Sequence, residues 1–332
     1  MPAVTLDPNT FFRRLPLAPH QLRERITRTE DVIVLCHLGI PRLDRDRWSL
    51  TIDGLVARPR TLQFDDLLRF PKTEVSSFHQ CAGNPLQPLE PTRRICNVVW
   101  GGVRLVDVLA DCRPSPNARY IWSSGADFGQ FCDVTIDAYS KDLPIARAQD
   151  DVLIAYEMNG EPLPAEHGFP ARLVVPGFYG TNSVKWLTRM TLAEGRAAGP
   201  FTTRWYNDPV KDAAERDTGE TTPVWSIAPE SLIVAPAPDA QIAASVGHEI
   251  SGWAWADGGA AKVEMRIGDG ASWRLAKLEP ARGRQWQRFS LPWSPSERGA
   301  VVLASRATSS AGLTQPASGR RNAIYSVPVN VI

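Results

Sequence analysis

Ala261-Lys262-Val263-Glu264-Met265-Arg266-Ile267-Gly268-Asp269-Gly270 alternates apolar and polar residues and then stops in Gly-Asp-Gly. Successive side chains of a strand point to opposite faces, so this alternation predicts a half-buried strand running into a tight turn. The same signature repeats on both sides. Upstream, Glu249 to Trp255 runs into Asp257-Gly258-Gly259; downstream, Trp273, Trp286 and Phe289 mark two further strands and Ala300 to Ala307 another. Short alternating strands about 8–12 residues apart, joined by Asp-Gly turns, predict an all-β immunoglobulin-like sandwich. Its tryptophans are expected in the core. Pro236-Ala237-Pro238 reads as a strand-entry loop, and the pattern between Phe201 and Ala228 is weak. The division falls accordingly at residues 1–205 and 206–332.

The N-terminal part reads differently. Trp48 to Gly54 alternates and ends in Asp-Gly, Phe64 to Phe70 is a short amphipathic helix stopped by Pro71, and Val75 to Cys81 is a strand. Val98 to Val103 leads into a short helix, Leu105 to Leu109, and Tyr120 to Ser123 is another strand. Val152 to Tyr156 and Arg172 to Val175 are apolar runs of the kind that forms buried strands. A helix is also expected around Gln21 to Arg28. Short helices mixed with strands, without a regular βαβ rhythm, predict an α+β domain rather than a doubly wound one.

Composition narrows the function classes. The chain has 332 residues, with 43% hydrophobic and 22% charged residues as in an ordinary globular protein, and its net charge of +1 argues against a dedicated nucleic-acid binder or a membrane-surface protein. No apolar run approaches the roughly 20 residues that span a bilayer. Arg13-Arg14 is followed by Leu15-Pro16-Leu17-Ala18-Pro19-His20 rather than an apolar segment, so neither a secretory nor a twin-arginine leader is expected. Five cysteines without a C-x-x-C spacing suggest neither a disulfide framework nor a zinc knuckle, and point to a reducing, cytoplasmic setting. A mature periplasmic chain that has lost its leader is the alternative.

Chemistry concentrates in two places. Phe78-His79-Gln80-Cys81-Ala82-Gly83-Asn84 brings one thiol to a small, flexible turn, and Tyr156 to Arg172 is dense in polar and turn-forming residues. A thiol beside a turn without bulky side chains suits one soft metal with a large cofactor close to the backbone. Taken alone, a single cysteine is more often a small buried hydrophobe.

With these segments in view, the chain resembles the sulfite oxidase family of molybdenum enzymes. Cys81-Ala82-Gly83-Asn84 looks like the family's metal-cysteine motif, and Tyr156 to Arg172 matches its most specific segment. Gly180-Thr181-Asn182-Ser183-Val184-Lys185-Trp186-Leu187 resembles the motif that follows, and Ile250 to Trp255 its dimerisation domain. The resemblance implies one molybdenum held by a molybdopterin (pyranopterin dithiolene) and the Cys81 thiolate. It implies cofactor binding by His37, Asp127, His167, Arg172, Ser183 and Lys185, and an active-site tyrosine at Tyr156. Arg172 and Lys185 make chemical sense because a pterin phosphate tail needs cationic donors. Cys96, Cys112 and Cys132 are read as inert packing.

The implied reaction is oxygen-atom transfer to a small sulfur oxyanion or related compound, with electrons leaving to an external acceptor such as a cytochrome. Homodimerisation through the C-terminal domain is also implied. Two departures bear on the substrate. Sulfite-oxidising members read Arg-Asn-His where this chain has Leu35-Cys36-His37, and two arginines where it has Pro85-Leu86. A dianion taken from water needs paired cations, so weaker sulfite binding is expected; Arg93 and Arg94 either reach back into the pocket or are ordinary solvated surface arginines. Cys36 is a novelty that fits a less polar pocket. The same centre run as a reductase of a sulfoxide is the alternative, and a non-catalytic protein that kept the fold is a second.

Overall fold

The computed structural model describes residues 6–7, 12–83, 94–212, 216–318 and 320–332. Two compact units emerge, one made of residues 1–15, 34–75 and 99–225, the other of 16–33, 76–98 and 226–332. Strands Lys72–Gln80 and Ile95–Arg104 each carry the chain from one unit's range into the other's. Asn84, Pro85, Leu86 and Arg93, named above, lie outside the described residues.

The first unit contains a five-stranded sheet in the order Ser140–Pro144, Tyr120–Gly125, Leu187–Ala193, Ser49–Gly54, Arg60–Gln63. Its one parallel pairing joins Leu187–Ala193 to Ser49–Gly54. Leu50 and Ile52 are fully buried while Ser49, Thr51 and Asp53 are only half-buried, as the period-two reading requires. Helix Leu105–Cys112 buries Leu105, Val108, Leu109 and Cys112, an i, i+3, i+4, i+7 stripe. Helix Phe64–Leu67 is a single turn.

Leu153–Met158 lies between Ile95–Arg104 on one side and both Glu161–Pro162 and Arg172–Val174 on the other. A hairpin of Asn207–Lys211 with Asp217–Pro223, in the stretch where the sequence pattern is weak, completes this unit.

In the second unit, Glu230–Ala235, His248–Trp255, Gln287–Trp293 and Lys277–Leu278 form one sheet. Gln241–Ile242, Ser326–Val331, Gly299–Ser309, Ala260–Ile267 and Arg274–Leu275 form the other. Ile250, Val263, Met265, Phe289, Leu303 and Val327 pack into its core. Trp253 and Trp286 stack with ring centres 4.9 Å apart, whereas Trp273 stays half-buried.

Two expectations fail. Around Gln21–Arg28 there is only a 3₁₀ turn, Pro19–Gln21. The backbone beyond it is spent on distant partners instead of a helical ladder: Thr27 N donates to Asn97 O, and Arg25 O accepts from Asn97 Nδ2 and Trp286 Nε1. Cys132 is not packed at all; it is exposed, at positive φ in the turn between Gly129–Phe131 and Val134–Ile136. Cys96 and Cys112 are buried as expected.

Candidate cofactor and metal site

Lys185 and Arg172 wire the loops of the first unit together. Lys185 Nζ donates to Leu35 O at 3.0 Å and Glu166 O at 2.9 Å, and approaches Cys36 Sγ at 3.4 Å. Arg172 donates to His167 O and Ser183 O, both at 3.0 Å, and its guanidinium lies over the Trp100 ring. The buried cation is thus met by carbonyl oxygens, where a partner on an apolar strand would be expected to be a carboxylate. Ser183 Oγ accepts from Val175 N at 3.0 Å. His167 ends a 3₁₀ turn, and Gly168 after it has φ +112°, where a Cβ would crowd both Arg172 and Lys185.

Around these cations the titrating groups are strongly perturbed. Asp127 is 3% exposed, and its Oδ1 has no hydrogen-bond partner among the described residues. Burial pushes its carboxyl up to about 7, while the charge of Lys185 pulls the other way. Burial also lowers the Lys185 ammonium. His37 bonds Tyr206 Oη through Nε2 at 2.5 Å and sits among the rings of Phe131, Tyr139 and Phe201. Burial, then the Lys185 charge, pushes His37 down to about 3, so its imidazole is neutral at physiological pH. Gly125 allows this close approach: a Cβ there would lie 2.5 Å from Asp127 Oδ1 and 2.6 Å from Lys185 O.

Tyr156 occupies a β-bulge. Ala155 pairs with Gly102 and Glu157 with Gly101, leaving Tyr156 as the extra residue between them. Bulges re-aim a side chain and concentrate beside active sites. The two glycines opposite make room, since a Cβ on Gly102 would collide with Ile154 O and one on Gly101 with Glu157. Trp100-Gly101-Gly102 was the sequence signal for this device. Burial, with Glu157 adding, raises the Tyr156 phenol and keeps it protonated.

Cys81 belongs to the second unit. Its N donates to Arg94 O at 2.9 Å, and its partly exposed sulfur accepts from Gly83 N at 3.3 Å. Two arginines attend this turn. Arg321 Nη1 donates to Ala82 O, and the point where a Gly83 side chain would begin lies 2.5 Å from Arg94 Nη1 and 3.6 Å from Cys81 Sγ. Sequence reasoning reached Arg94 but missed Arg321, and it missed Gln80, the fully buried residue before the thiol. Cys36, by contrast, is 1% exposed and packs with Val34, Ile40 and Trp186, so it lines no open pocket.

So six of the residues implied by resemblance (His37, Asp127, His167, Arg172, Ser183 and Lys185) gather in one unit, with Tyr156 on a strand of the same unit. They fit a pterin. A buried acceptor lacking a donor at Asp127 suits the amino edge of such a ring, and rigidly tied cations suit its phosphate.

The comparisons agree with this chemistry. An oxidoreductase molybdopterin binding domain matches residues 37–201, and a Mo-co oxidoreductase dimerisation domain matches 221–330. Human mitochondrial sulfite oxidase is 32% identical over 316 residues, covering 87% of this chain and 57% of that protein. The chain therefore spans a little over half of that relative's length. Sulfite oxidase of Arabidopsis thaliana is 31% identical, covering 75% of this chain and 69% of that protein. The crystal structure of the sulfane dehydrogenase SoxCD from Paracoccus pantotrophus matches with TM-score 0.80 at 30% identity, over 92% of this chain and 82% of that one.

Proposed function

Because the chain belongs to the sulfite oxidase family of molybdopterin-dependent oxidoreductases, we propose that it oxidises a small anionic sulfur compound, with Cys81 as the protein ligand of molybdenum. Sulfite is one such substrate, and a sulfane sulfur, suggested by the structural relative's name, is the other. For sulfite, water supplies the oxygen: sulfite and water give sulfate, two protons and two electrons. When bound, the molybdenum cofactor would supply the oxygen-atom-transfer and two-electron redox chemistry, and an external acceptor would take up the electrons.

The observation that carries this reading is the pair of guanidiniums at the thiol turn. Arg94 and Arg321 both attend Cys81-Ala82-Gly83 and bring two positive charges to the thiol turn, whereas Leu35 and Leu86 carry none. An anion held out of water needs such charge-assisted donors. Part of this donor capacity goes to the Ala82 carbonyl, so sulfite is held more weakly than where arginines are dedicated to it. His37, Asp127, His167, Arg172, Ser183 and Lys185 hold the pterin. Tyr156 keeps its proton on Oη, from which it hydrogen-bonds substrate and moves a proton. The C-terminal domain makes a homodimer, testable by light scattering.

The test compares turnover of the purified protein with sulfite and ferricyanide, thiosulfate and ferricyanide, and reduced viologen with a sulfoxide. Oxidation of a sulfur anion is expected, with sulfite saturating above the micromolar range. Turnover confined to sulfoxide reduction would overturn the reading, and sulfite saturation at micromolar concentration would overturn the weaker-binding part. Elemental analysis reads cofactor content directly, and a chain without molybdenum from a competent host would make it a non-catalytic relative.

A further inference from the structure

We propose that Gln80 is the positioning residue of the metal thiolate, clamped by Glu230, Asn322 and Trp255 so that the β-sandwich unit sets the orientation of Cys81. This rests on the reading of Cys81 as the molybdenum ligand. Gln80 immediately precedes the thiol and is 0% exposed, as are Glu230, Asn322 and Trp255. Its Nε2 donates to Glu230 Oε2 at 2.6 Å and to Asn322 Oδ1 at 2.7 Å, and its Oε1 accepts from Trp255 Nε1 at 2.8 Å. Asn322 Nδ2 in turn donates to Ala228 O at 2.8 Å.

The amide orientation is determined by chemistry. An indole N–H only donates, so the atom facing Trp255 is the oxygen, and the nitrogen's two hydrogens are then both consumed by acceptors. A carboxamide is the side chain of this length that donates twice and accepts at the same point; Glu lacks the donors and Met lacks both. Each lost partner strands a buried polar group, so the side chain has one orientation in the folded chain.

That rigidity is transmitted over one peptide. Gln80 ends its strand, Cys81 N is tied to Arg94 O, and Ala82 O takes the Arg321 guanidinium. The backbone is therefore fixed on both sides of the Cys81 Cα, and the sulfur direction depends on one side-chain torsion. Groups that orient a ligand without touching the metal change affinity or activity by about 10–100-fold when removed.

The experiment uses the molybdenum-loaded full chain and reads three quantities: molybdenum per chain, thermal midpoint, and the visible charge-transfer and Mo(V) paramagnetic spectra normalised to molybdenum. Gln80→Met is expected to shift both spectra and lower molybdenum content about tenfold or more. Glu230→Leu is expected to produce the same shift, while Glu230→Gln, which preserves an acceptor for Gln80, restores the native spectra. Native spectra per molybdenum in Gln80→Met, with only a lower midpoint, would reduce the cluster to ordinary core packing and overturn the proposal. Should Gln80→Met fail to fold, Trp255→Phe removes a single bond at nearly constant bulk; a small shift in the same direction supports positioning, and no shift there or in Glu230→Leu overturns it. Cys81→Ser serves as the separate control: spectra identical to the unsubstituted protein would refute Cys81 as the ligand, independently of Gln80.

Discussion

Two buried polar clusters in this chain are built on opposite terms. Around Gln80 every donor and acceptor of the central amide is matched by a side chain of Glu230, Asn322 or Trp255. Around Asp127 and Lys185 the matching is incomplete: the Asp127 carboxyl is buried with one oxygen lacking a donor, and both groups are shifted away from their charged forms. A folded chain tolerates such a deficit where something else is to be bound, because an unsatisfied buried group costs stability unless a ligand completes it. The Gln80 amide, with all its bonds filled, has the character of scaffolding, and the Asp127–Lys185 cluster that of the receptor proposed above.

The largest expected effect tests what hangs from the scaffold. Cys81→Ser is expected to reduce turnover more than about a hundredfold, beyond what removal of outer-shell groups around a metal achieves. It also removes the thiolate charge-transfer band. Retained turnover with an unchanged band would break the link between the saturated cluster and the metal.

Next in size is the charge at the thiol turn. Arg94→Met and Arg321→Met are each expected to raise KM for sulfite about tenfold or more, the equivalent of one charge-assisted hydrogen bond. kcat should change less than KM. Equal losses in a neutral substrate would assign these arginines to folding of the turn instead.

The deficient cluster makes its own prediction through pH. In the cofactor-free chain, Asp127 is protonated when folded up to about pH 7 but ionised when unfolded above roughly pH 4, so stability falls as pH rises between them. His37 does the reverse: neutral when folded above about pH 3 and protonated when unfolded below roughly pH 6.5, so stability rises with pH. Each slope approaches about 1.4 kcal/mol per pH unit, and they oppose one another between roughly pH 4 and 6.5. Asp127→Asn should therefore unmask a rising profile and His37→Gln a falling one in chemical denaturation. Parallel profiles in the two variants would remove the basis for calling this cluster unsatisfied.

Much of this was legible beforehand, and the exceptions have physical reasons. The strands Ser49–Gly54 and Ala260–Ile267 were readable because one face of each is buried and alternation survives. The segment after Gln21 has helical composition, yet its backbone groups find Asn97 and Trp286 far along the chain, and tertiary bonds override propensity. The cofactor residues came from resemblance of contiguous motifs. Gln80, Glu230 and Asn322 could not, since the partners are 150 and 242 residues away and no local period marks them. Tyr156 was visible, but the bulge that sets it apart was written in Gly101-Gly102 on another strand.

The smallest effect sharpens the border of the receptor. Cys36 is buried against Lys185 Nζ at 3.4 Å, but the same ammonium has two shorter bonds, to Leu35 O and Glu166 O. Removing the sulfur leaves these carbonyls in place and opens little space, so Cys36→Ala should cost about 1 kcal/mol in the cofactor-free chain. Molybdenum content and KM should stay within twofold. A tenfold loss of molybdenum would mean that the thiol itself holds Lys185 for the cofactor, and the deficient cluster would then extend one residue further than its hydrogen bonds indicate.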